Sequence, residues 1–203
     1  GRLDVFESDG WPIATWGEVE GDDDIVDPIA VEVSRLDYTY VSDQASEQVL
    51  RLTADGHIDL RIGRPGTALG EFAPARDGIG PSGPGDLSFT YVLSAIPHLL
   101  WVADPGNARI QVFEPDGTPR WAIGSEGEGD GEFCHGCPDQ IVTDGSGNVY
   151  VSERRADQRI QVFGPDGRYL RTIGRKGQGP GEFSDPNSID IDREGHLYVL
   201  DDR

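Results

Sequence analysis

The chain has 203 residues, enough for one domain with a substantial core, and its 37 acidic residues against 17 basic ones give a net charge of −20. Because nucleic acids and anionic membranes are bound through Lys and Arg, this charge excludes both as partners and favours cations or a basic protein. No stretch approaches the ~18 apolar residues of a membrane helix. The chain starts at Gly1 and contains no Met, which predicts a processed form or a piece of a longer protein.

A short sequence motif ending in glycine occurs four times along the chain, as IATWG, LRIG, WAIG and RTIG, at intervals of 46, 61 and 50 residues. Between these markers lie short alternating runs rich in Val, Ile, Tyr and Phe. Asp-Gly and Gly-Asn turns bound the runs, which predicts four antiparallel strands in each unit. Four strands in ~45 residues are the content of a propeller blade. We therefore predict an all-β fold in which residues 1–203 form a single domain.

The first two segments in chain order are an outer half-blade at 1–17 and a blade at 18–63. The strand RLDVF in the half-blade matches RIQVF in later units, where it is the third strand of a blade. The chain is thus predicted to start halfway through a blade, because the strands that should precede RLDVF in its unit are missing.

The third segment, 64–124, is a blade with extra residues. Phe72 of its GEF sequence lies 32 residues before Asp104, whereas Leu87 of GPGDL lies 17 residues before it, close to the spacing in other units. We therefore interpret GPGDL as the start of the blade and Arg64–Gly78 as an insertion. Long loops of this kind are often functional, so the insertion is either a neutral addition or a binding loop. The contact residues of a binding loop would be Arg64, Arg76 and Asp77.

The fourth segment, 125–174, contains both cysteines of the chain in the sequence FCHGCP. A single C-x-x-C pair has three interpretations: Cys134 and Cys137 form a local disulfide, remain a free dithiol, or contribute to a metal site. His135 lies between them, in the loop that leads to an inner strand. It is the one histidine in a chemically suggestive place and is a candidate binding residue.

The last segment, 175–203, is the inner half of a blade, and together with residues 1–17 it accounts for one further repeat. The chain thus holds four blade-equivalents, one of them split between the two termini. Three arrangements follow: a slice of a six-bladed ring, a four-bladed ring closed by its own half-blades, or half-blades paired between molecules. Each would remove unpaired strand edges.

An acid ends the second strand of each unit, at Asp43, Asp104, Glu153 and Asp201. A ring of carboxylates around a propeller axis could bind Ca²⁺, which prefers oxygen ligands. The alternative is that each acid caps its own turn or pairs with a neighbouring arginine. Recurrence in every blade favours this structural role, because a binding site is usually singular.

Two long sequences, GQGPGEFSDPNSIDIDREGHLYVLDD and NARIQVFEPDGTPRWAIG, resemble the NHL-repeat family. The resemblance covers nearly all of the chain and implies a β-propeller, most often with six blades. The segment FCHGCPDQIVTD is also similar to the peptidyl-hydroxyglycine amidating lyases, whose propeller holds a central zinc through histidines in PH(G/S)L sequences. The matching positions here, Pro138-Asp139-Gln140 and Pro186-Asn187-Ser188, lack the histidine.

These observations predict a non-catalytic module, extracellular or periplasmic, that binds a protein or a small molecule at the propeller rim or channel. The alternative is a metal-dependent propeller enzyme, lyase-like or lactonase-like, that uses the central acids with the assistance of His135 or His98. A further alternative is a structural protein that self-associates through its half-blades.

Overall fold

A computed structural model describes residues 1–17, 25–34, 38–73, 89–92 and 99–202, and for 89–92 only the path of the strand. The described residues form sixteen strands and one short 3-10 helix at Pro105–Asn107. The strands are β1 Leu3–Phe6, β2 Pro12–Trp16, β3 Pro28–Val33, β4 Thr39–Asp43, β5 Gln48–Leu52, β6 Ile58–Ile62, β7 Phe89–Val92, β8 Leu99–Asp104, β9 Arg109–Phe113, β10 Pro119–Ile123, β11 Ile141–Thr143, β12 Val149–Glu153, β13 Arg159–Phe163, β14 Tyr169–Ile173, β15 Pro186–Ile191 and β16 Leu197–Asp201.

Strands that follow one another in sequence pair antiparallel, giving three four-stranded sheets and two hairpins. We name the sheets the first blade (β3–β6), the second blade (β7–β10) and the third blade (β11–β14), and the hairpins the outer hairpin (β1–β2) and the inner hairpin (β15–β16). The leading strands β3, β7, β11 and β15 contact one another in that order. Blades that radiate from adjacent innermost strands are the arrangement of a β-propeller.

Glycine turns close the outer edge of each blade. In the Pro-Asp-Gly turn between β9 and β10, Gly117 adopts a φ of +83°, which favours glycine over other residues. The N–H of Gly117 donates to the carbonyl of Glu114, and the N–H of Glu114 donates to the carbonyl of Thr118, both at 2.9 Å. The register shifts by one residue next to this turn, which is the bulge expected of such hairpins.

Apolar side chains fill the space between neighbouring blades. The largest cluster joins the second blade, through Trp101, Ile110 and Val112, to the third blade, through Val151 and Phe163. Alternate residues of each middle strand face opposite neighbours, so both faces of a complete blade are buried. No helix among the described residues is long and apolar enough to span a membrane.

A glycine-rich turn precedes the second blade, the third blade and the inner hairpin, and the three turns have the same backbone pattern. In each turn a phenylalanine forms an isolated parallel bridge to a residue seven positions earlier and packs under the turn. The pairs are Pro65–Phe72, Glu126–Phe133 and Lys176–Phe183.

Phe72 is fully buried, and its N–H donates to the carbonyl of Arg64, as the N–H of Phe133 donates to that of Ser125. The interpretation of Arg64–Gly78 as an insertion is therefore wrong as far as Ala73, because this stretch is the regular start of a blade. The additional length of the unit falls after Ala73. β7 begins 17 residues after Phe72, whereas β11 begins eight residues after Phe133. Residues 74–78 of the presumed insertion lie outside the described residues.

The two hairpins flank the three blades. The outer hairpin packs through Leu3 and Trp16 against Val41 and Leu50 of the first blade. The inner hairpin packs on the third blade through a cluster that includes Ile189. In the described structure the two hairpins are separate two-stranded sheets and are not hydrogen-bonded to each other.

Candidate functional site

The four acids predicted from the repeat all lie at the same place in their units. Asp43, Asp104 and Glu153 end β4, β8 and β12 and are at most 1% exposed. Asp201 ends β16 and is partly buried. Buried carboxylates require hydrogen-bond partners, and those partners show what each acid does.

Asp104 joins three parts of the second blade. Its Oδ1 accepts the backbone N–H of Ala73 at 3.1 Å, at the end of the glycine-rich turn. Its Oδ2 accepts the Nε–H of Arg109 at 2.9 Å and the side-chain amides of Asn107 and Gln111 at 2.8 and 3.0 Å.

Glu153 makes the same connections in the third blade. It accepts the backbone N–H of Cys134 at 3.1 Å, the Nε–H of Arg159 at 2.7 Å and the amide of Gln161 at 2.8 Å. Arg159 and Gln161 in turn donate to the carbonyl of Glu132, at 3.0 and 2.6 Å. The acid, the arginine and the glutamine together hold the glycine-rich turn against the blade, an arrangement that we name the turn clamp.

The other two acids keep the backbone part of this pattern. Asp43 and Asp201 each accept two consecutive N–H groups from the segment that leads into their unit. Asp43 also accepts a hydrogen bond from the hydroxyl of Ser46 at 2.5 Å, where Asp104 and Glu153 accept one from an arginine. The backbone donors are Val26 and Asp27 to Asp43, and Ser184 and Asp185 to Asp201.

Each of the four acids thus serves its own unit, which is the structural alternative considered for them. Burial raises the pKa of Asp104 and Glu153, although Arg109 and Arg159 oppose it. Among the residues that the structure describes, the groups able to surround a metal are Cys134–Cys137–Glu153 and Asp192–Glu194–His196. Neither contains two of the four acids.

The FCHGCP loop lies directly against the turn clamp of the third blade. Cys134 and Cys137 are buried and joined in a disulfide, so they do not offer thiolate ligands in this state. His135 is exposed, and its Nδ1 lies 3.5 Å from Oε1 of Glu126. Glu126, Glu128 and Asp130 of the preceding turn are also exposed, which makes this end of the third blade acidic.

Asp139 follows this loop and is a residue that our sequence analysis did not select. Its Oδ2 accepts the backbone N–H of Arg154 at 2.9 Å. Burial raises the pKa of Asp139 to about 6, against the opposing effects of the Arg154 hydrogen bond and of the Arg154 and Arg155 charges. A carboxyl that titrates near neutral pH is suited to proton transfer or to pH-dependent binding. The only signal in the sequence was its place between the cysteine loop and an inner strand.

Two arginines frame Asp139. Arg154 makes a two-point ion pair with Asp185 of the segment leading to the inner hairpin, with both nitrogen–oxygen distances 3.0 Å. Arg155 lies over the disulfide loop, because a Cβ placed on Gly136 would be 3.1 Å from its Nε. Arg154 thus links the third blade to the segment leading to the inner hairpin, while Arg155 and Asp139 flank the disulfide loop.

The remaining binding candidates do not join this group. Arg64 pairs with Glu71 at 2.8 Å, and Arg175 pairs with Glu182 in the same way, so the contact belongs to the glycine-rich turn. Arg76, Asp77 and His98 lie outside the described residues.

The Asp192–Glu194–His196 group is a hairpin turn. Nδ1 of His196 lies 2.9 Å from Oδ2 of Asp192, where the third blade has the Asn148 amide donating to Asp144 at 2.7 Å. The backbone N–H of His196 is the main cause that lowers the pKa of Asp192 to about 2. His196 therefore occupies a position that a non-ligating asparagine fills elsewhere.

Comparison with known families and structures identifies the fold. Residues 136–203 match a family described as 6-bladed beta-propeller. The whole chain is similar to virginiamycin B lyase from Staphylococcus aureus, with a TM-score of 0.65, 15% identity and coverage of 98% of this chain and 56% of that one. It is also similar to a gluconolactonase from Xanthomonas campestris, with a TM-score of 0.59, 19% identity and coverage of 98% and 61%.

A protein of unknown function from Bacteroides thetaiotaomicron is similar as well, with a TM-score of 0.66, 16% identity and coverage of 98% and 51%. The chain therefore spans little more than half the length of the solved structures that it resembles. No curated protein sequence matches it. The predicted all-β propeller of four-stranded antiparallel blades is confirmed, and the matching family has the six blades that the sequence resemblance implies.

Proposed function

We propose that this chain contributes blades to a six-bladed NHL-type propeller that binds a partner outside the cytoplasm without catalysing a reaction. One observation carries the proposal. The recurrent polar residues of the blades are engaged in holding the fold, through contacts such as Glu153 with Arg159 at 2.7 Å. The groups specific to one unit, namely the disulfide loop with His135, Asp139 and Arg155, then remain for recognition.

The charge of the chain supports a basic partner. The net charge is −20, and Glu126, Glu128 and Asp130 are exposed on the turn beside the FCHGCP loop. Such a surface attracts Lys- and Arg-rich segments of a protein and accelerates their association at low salt. The disulfide supports an extracellular or periplasmic location, because disulfides persist in oxidising compartments.

A library of Lys- and Arg-containing peptides, titrated by calorimetry and thermal shift, tests the proposal. We expect a peptide that binds the wild type to bind His135→Ala and Asp130→Asn more weakly. His57→Ala, in an exposed turn of the first blade, is the matched control and should bind normally. Equal affinity for all four proteins would place any binding elsewhere, and no binding peptide would argue against a basic partner.

The second candidate function is an acid–base enzyme, which the pKa of Asp139 near 6 supports. The similar structures include a virginiamycin B lyase and a gluconolactonase, so streptogramin B and a simple lactone are suitable probes. Turnover by the wild type that is lost in Asp139→Asn would replace the binding proposal with this one.

A metal-dependent form of that enzyme, with Ca²⁺ as the expected cation, calls for a separate measurement. Elemental analysis and melting with and without a chelator decide it. A stoichiometric metal whose removal lowers the melting temperature would support the enzyme, whereas an unchanged melting curve without metal would support the binding module.

A further inference from the structure

The disulfide loop and the acid of the turn clamp bring three potential metal ligands together in the third blade. The sulfur atoms of Cys134 and Cys137 and a carboxylate oxygen of Glu153 all lie within 4.8 Å of one another. The three residues are at most 4% exposed. The loop and β12 thus converge on one buried point that two sulfur atoms and one oxygen surround.

The cysteines are not needed to form the turn that carries them. Ala73 occupies the position of Cys134 in the second blade, since each follows the buried phenylalanine of its turn. Each donates its backbone N–H to the acid of its turn clamp, at 3.1 Å in both blades. Ser184 occupies the same position before the inner hairpin. The cysteine pair is therefore an addition to the third blade, whereas a requirement of the fold recurs in every unit.

The backbone keeps the two cysteines close even without the bond between their sulfur atoms. The N–H of Cys137 donates to the carbonyl of Cys134 at 2.9 Å, and the two Cα atoms are 5.1 Å apart. A dithiol reductant that breaks the sulfur–sulfur bond transfers two electrons and two protons, leaves two thiols on this turn and itself becomes a disulfide. Two cysteines separated by two residues are then the chelating pair of many zinc sites.

The two carboxylate oxygens of Glu153 have different contacts. Oε1 accepts hydrogen bonds from Arg159 at 2.7 Å and from Gln161 at 2.8 Å, so it belongs to the turn clamp. Oε2 accepts the N–H of Cys134 at 3.1 Å, and a carboxylate oxygen has a second lone pair that can bind a metal ion. Glu153 can therefore bind a metal through Oε2 while its contacts with Arg159 and Gln161 stay intact.

The charges around this point balance those of a divalent metal ion. Two thiolates and the Glu153 carboxylate carry three negative charges, and a divalent ion together with the paired guanidinium of Arg159 carries three positive ones. This balance matters because an uncompensated charge is costly to bury. The two thiol protons are released to solvent when the metal binds.

We propose that Cys134, Cys137 and Glu153 bind a Zn²⁺ ion when the cysteines are reduced, so that either the disulfide or the metal closes the loop. Thiolates select Zn²⁺ over Ca²⁺ and Mg²⁺, which prefer oxygen ligands. Three protein ligands leave the fourth tetrahedral position to a water molecule. The site is separate from a Ca²⁺ site among the recurrent acids, and it does not depend on the proposed binding of a basic partner.

Co²⁺ is a coloured probe for such a site. The full chain is reduced with dithiothreitol in urea, freed of reductant and refolded without oxygen before it is titrated with Co²⁺. We expect one Co²⁺ per chain, with sulfur-to-cobalt charge-transfer absorption and the visible bands of tetrahedral Co²⁺, and displacement by Zn²⁺. The oxidised chain and a reduced Cys134→Ser/Cys137→Ser variant should show neither absorption. A reduced wild type that lacks the charge-transfer absorption, or that binds one metal ion for every two chains, would overturn the proposal.

Glu153→Gln tests the oxygen ligand. The variant keeps an acceptor for the N–H of Cys134 but loses the carboxylate, so the affinity for Co²⁺ should fall at least about tenfold while the charge-transfer absorption remains. Asp104→Asn makes the matched change in the turn clamp of the second blade, which contains no cysteine, and should bind Co²⁺ as the wild type does. Equal losses in the two variants would assign the effect to the fold and refute Glu153 as a ligand.

X-ray absorption of the reduced wild type loaded with Zn²⁺ counts the ligands without any substitution, so it decides the question even when Glu153→Gln does not fold. We expect two sulfur atoms at about 2.3 Å and two oxygen atoms at about 2.0 to 2.2 Å. Four sulfur atoms around the metal, or none, would contradict the proposed ligand set.

Discussion

Replacing Asp139 by Asn removes a charge that burial disfavours and keeps an oxygen to accept the N–H of Arg154. Burial raises the pKa of Asp139 from 3.8 to about 6. A carboxyl whose folded pKa exceeds its unfolded pKa is best tolerated when protonated, so stability declines as the pH rises through the interval between the two values. Each pKa unit corresponds to about 1.4 kcal/mol. The wild type therefore loses about 2 to 3 kcal/mol between about pH 4 and pH 7 at this residue.

Urea denaturation of both proteins at about pH 4 and pH 7 measures this effect. We expect equal free energies of unfolding at the lower pH and a more stable Asp139→Asn variant at the higher pH. For a chain of this size the gain corresponds to a rise of about 5 to 10 °C in melting temperature. Asp130→Asn changes net charge equally at an exposed position and controls for general repulsion. A difference between wild type and Asp139→Asn that does not vary with pH would refute the reasoning.

Three further outcomes follow from the contacts described above. Arg159→Ala should lower the free energy of unfolding in urea by about 3 to 5 kcal/mol, since Glu153 would stay buried without its cation, whereas exposed Arg168→Ala should change it by less than ~0.5 kcal/mol. Gly124→Ala and Gly10→Ala both place alanine at a φ of +93°, but only at Gly124 does the new Cβ overlap a side chain, the Phe133 ring. The melting temperature of Gly124→Ala should therefore fall further than that of Gly10→Ala. Equal losses would mean that the Phe133 ring moves aside without cost. Reducing the Cys134–Cys137 disulfide should destabilise the protein by about 2 kcal/mol through the short loop it closes, and a Cys134→Ser/Cys137→Ser variant should not respond to reductant.

The blades were predictable because their signals are local. The alternation of apolar and polar residues in RIQVF indicates a strand with two different faces. The Pro-Asp-Gly turn that follows requires the positive φ found at Gly117. The acids were found from their recurrence, and the neighbouring arginine expected as an alternative partner is Arg109 for Asp104 and Arg159 for Glu153. In each case the interacting groups lie within one unit of the sequence.

The predictions that failed or were missing concern residues that lie far apart in the sequence. Counting residues back from Asp104 could not tell whether the additional length lay before or after Phe72, because both arrangements give the same total. The buried position and the parallel bridge of Phe72 decide this. The sequence did carry a signal, because Phe72 follows Gly63 by nine residues, as Phe133 follows Gly124, but the distance to Asp104 was given more weight. Asp139 was missed because burial in the folded chain raises its pKa, and the local sequence does not indicate that burial.

The turn clamp affects which parts of the molecule unfold locally. Its polar contacts stay inside one unit, as in the clamp that links Glu132, Glu153 and Arg159, whereas the apolar contacts join one unit to the next. A blade can thus form its polar contacts without its neighbours, but most of its apolar surface is buried only when the neighbouring blades are folded. The stability of each blade therefore depends on the blades next to it, as in repeat proteins. Amide exchange should accordingly be slowest in the second and third blades, which share the largest apolar cluster.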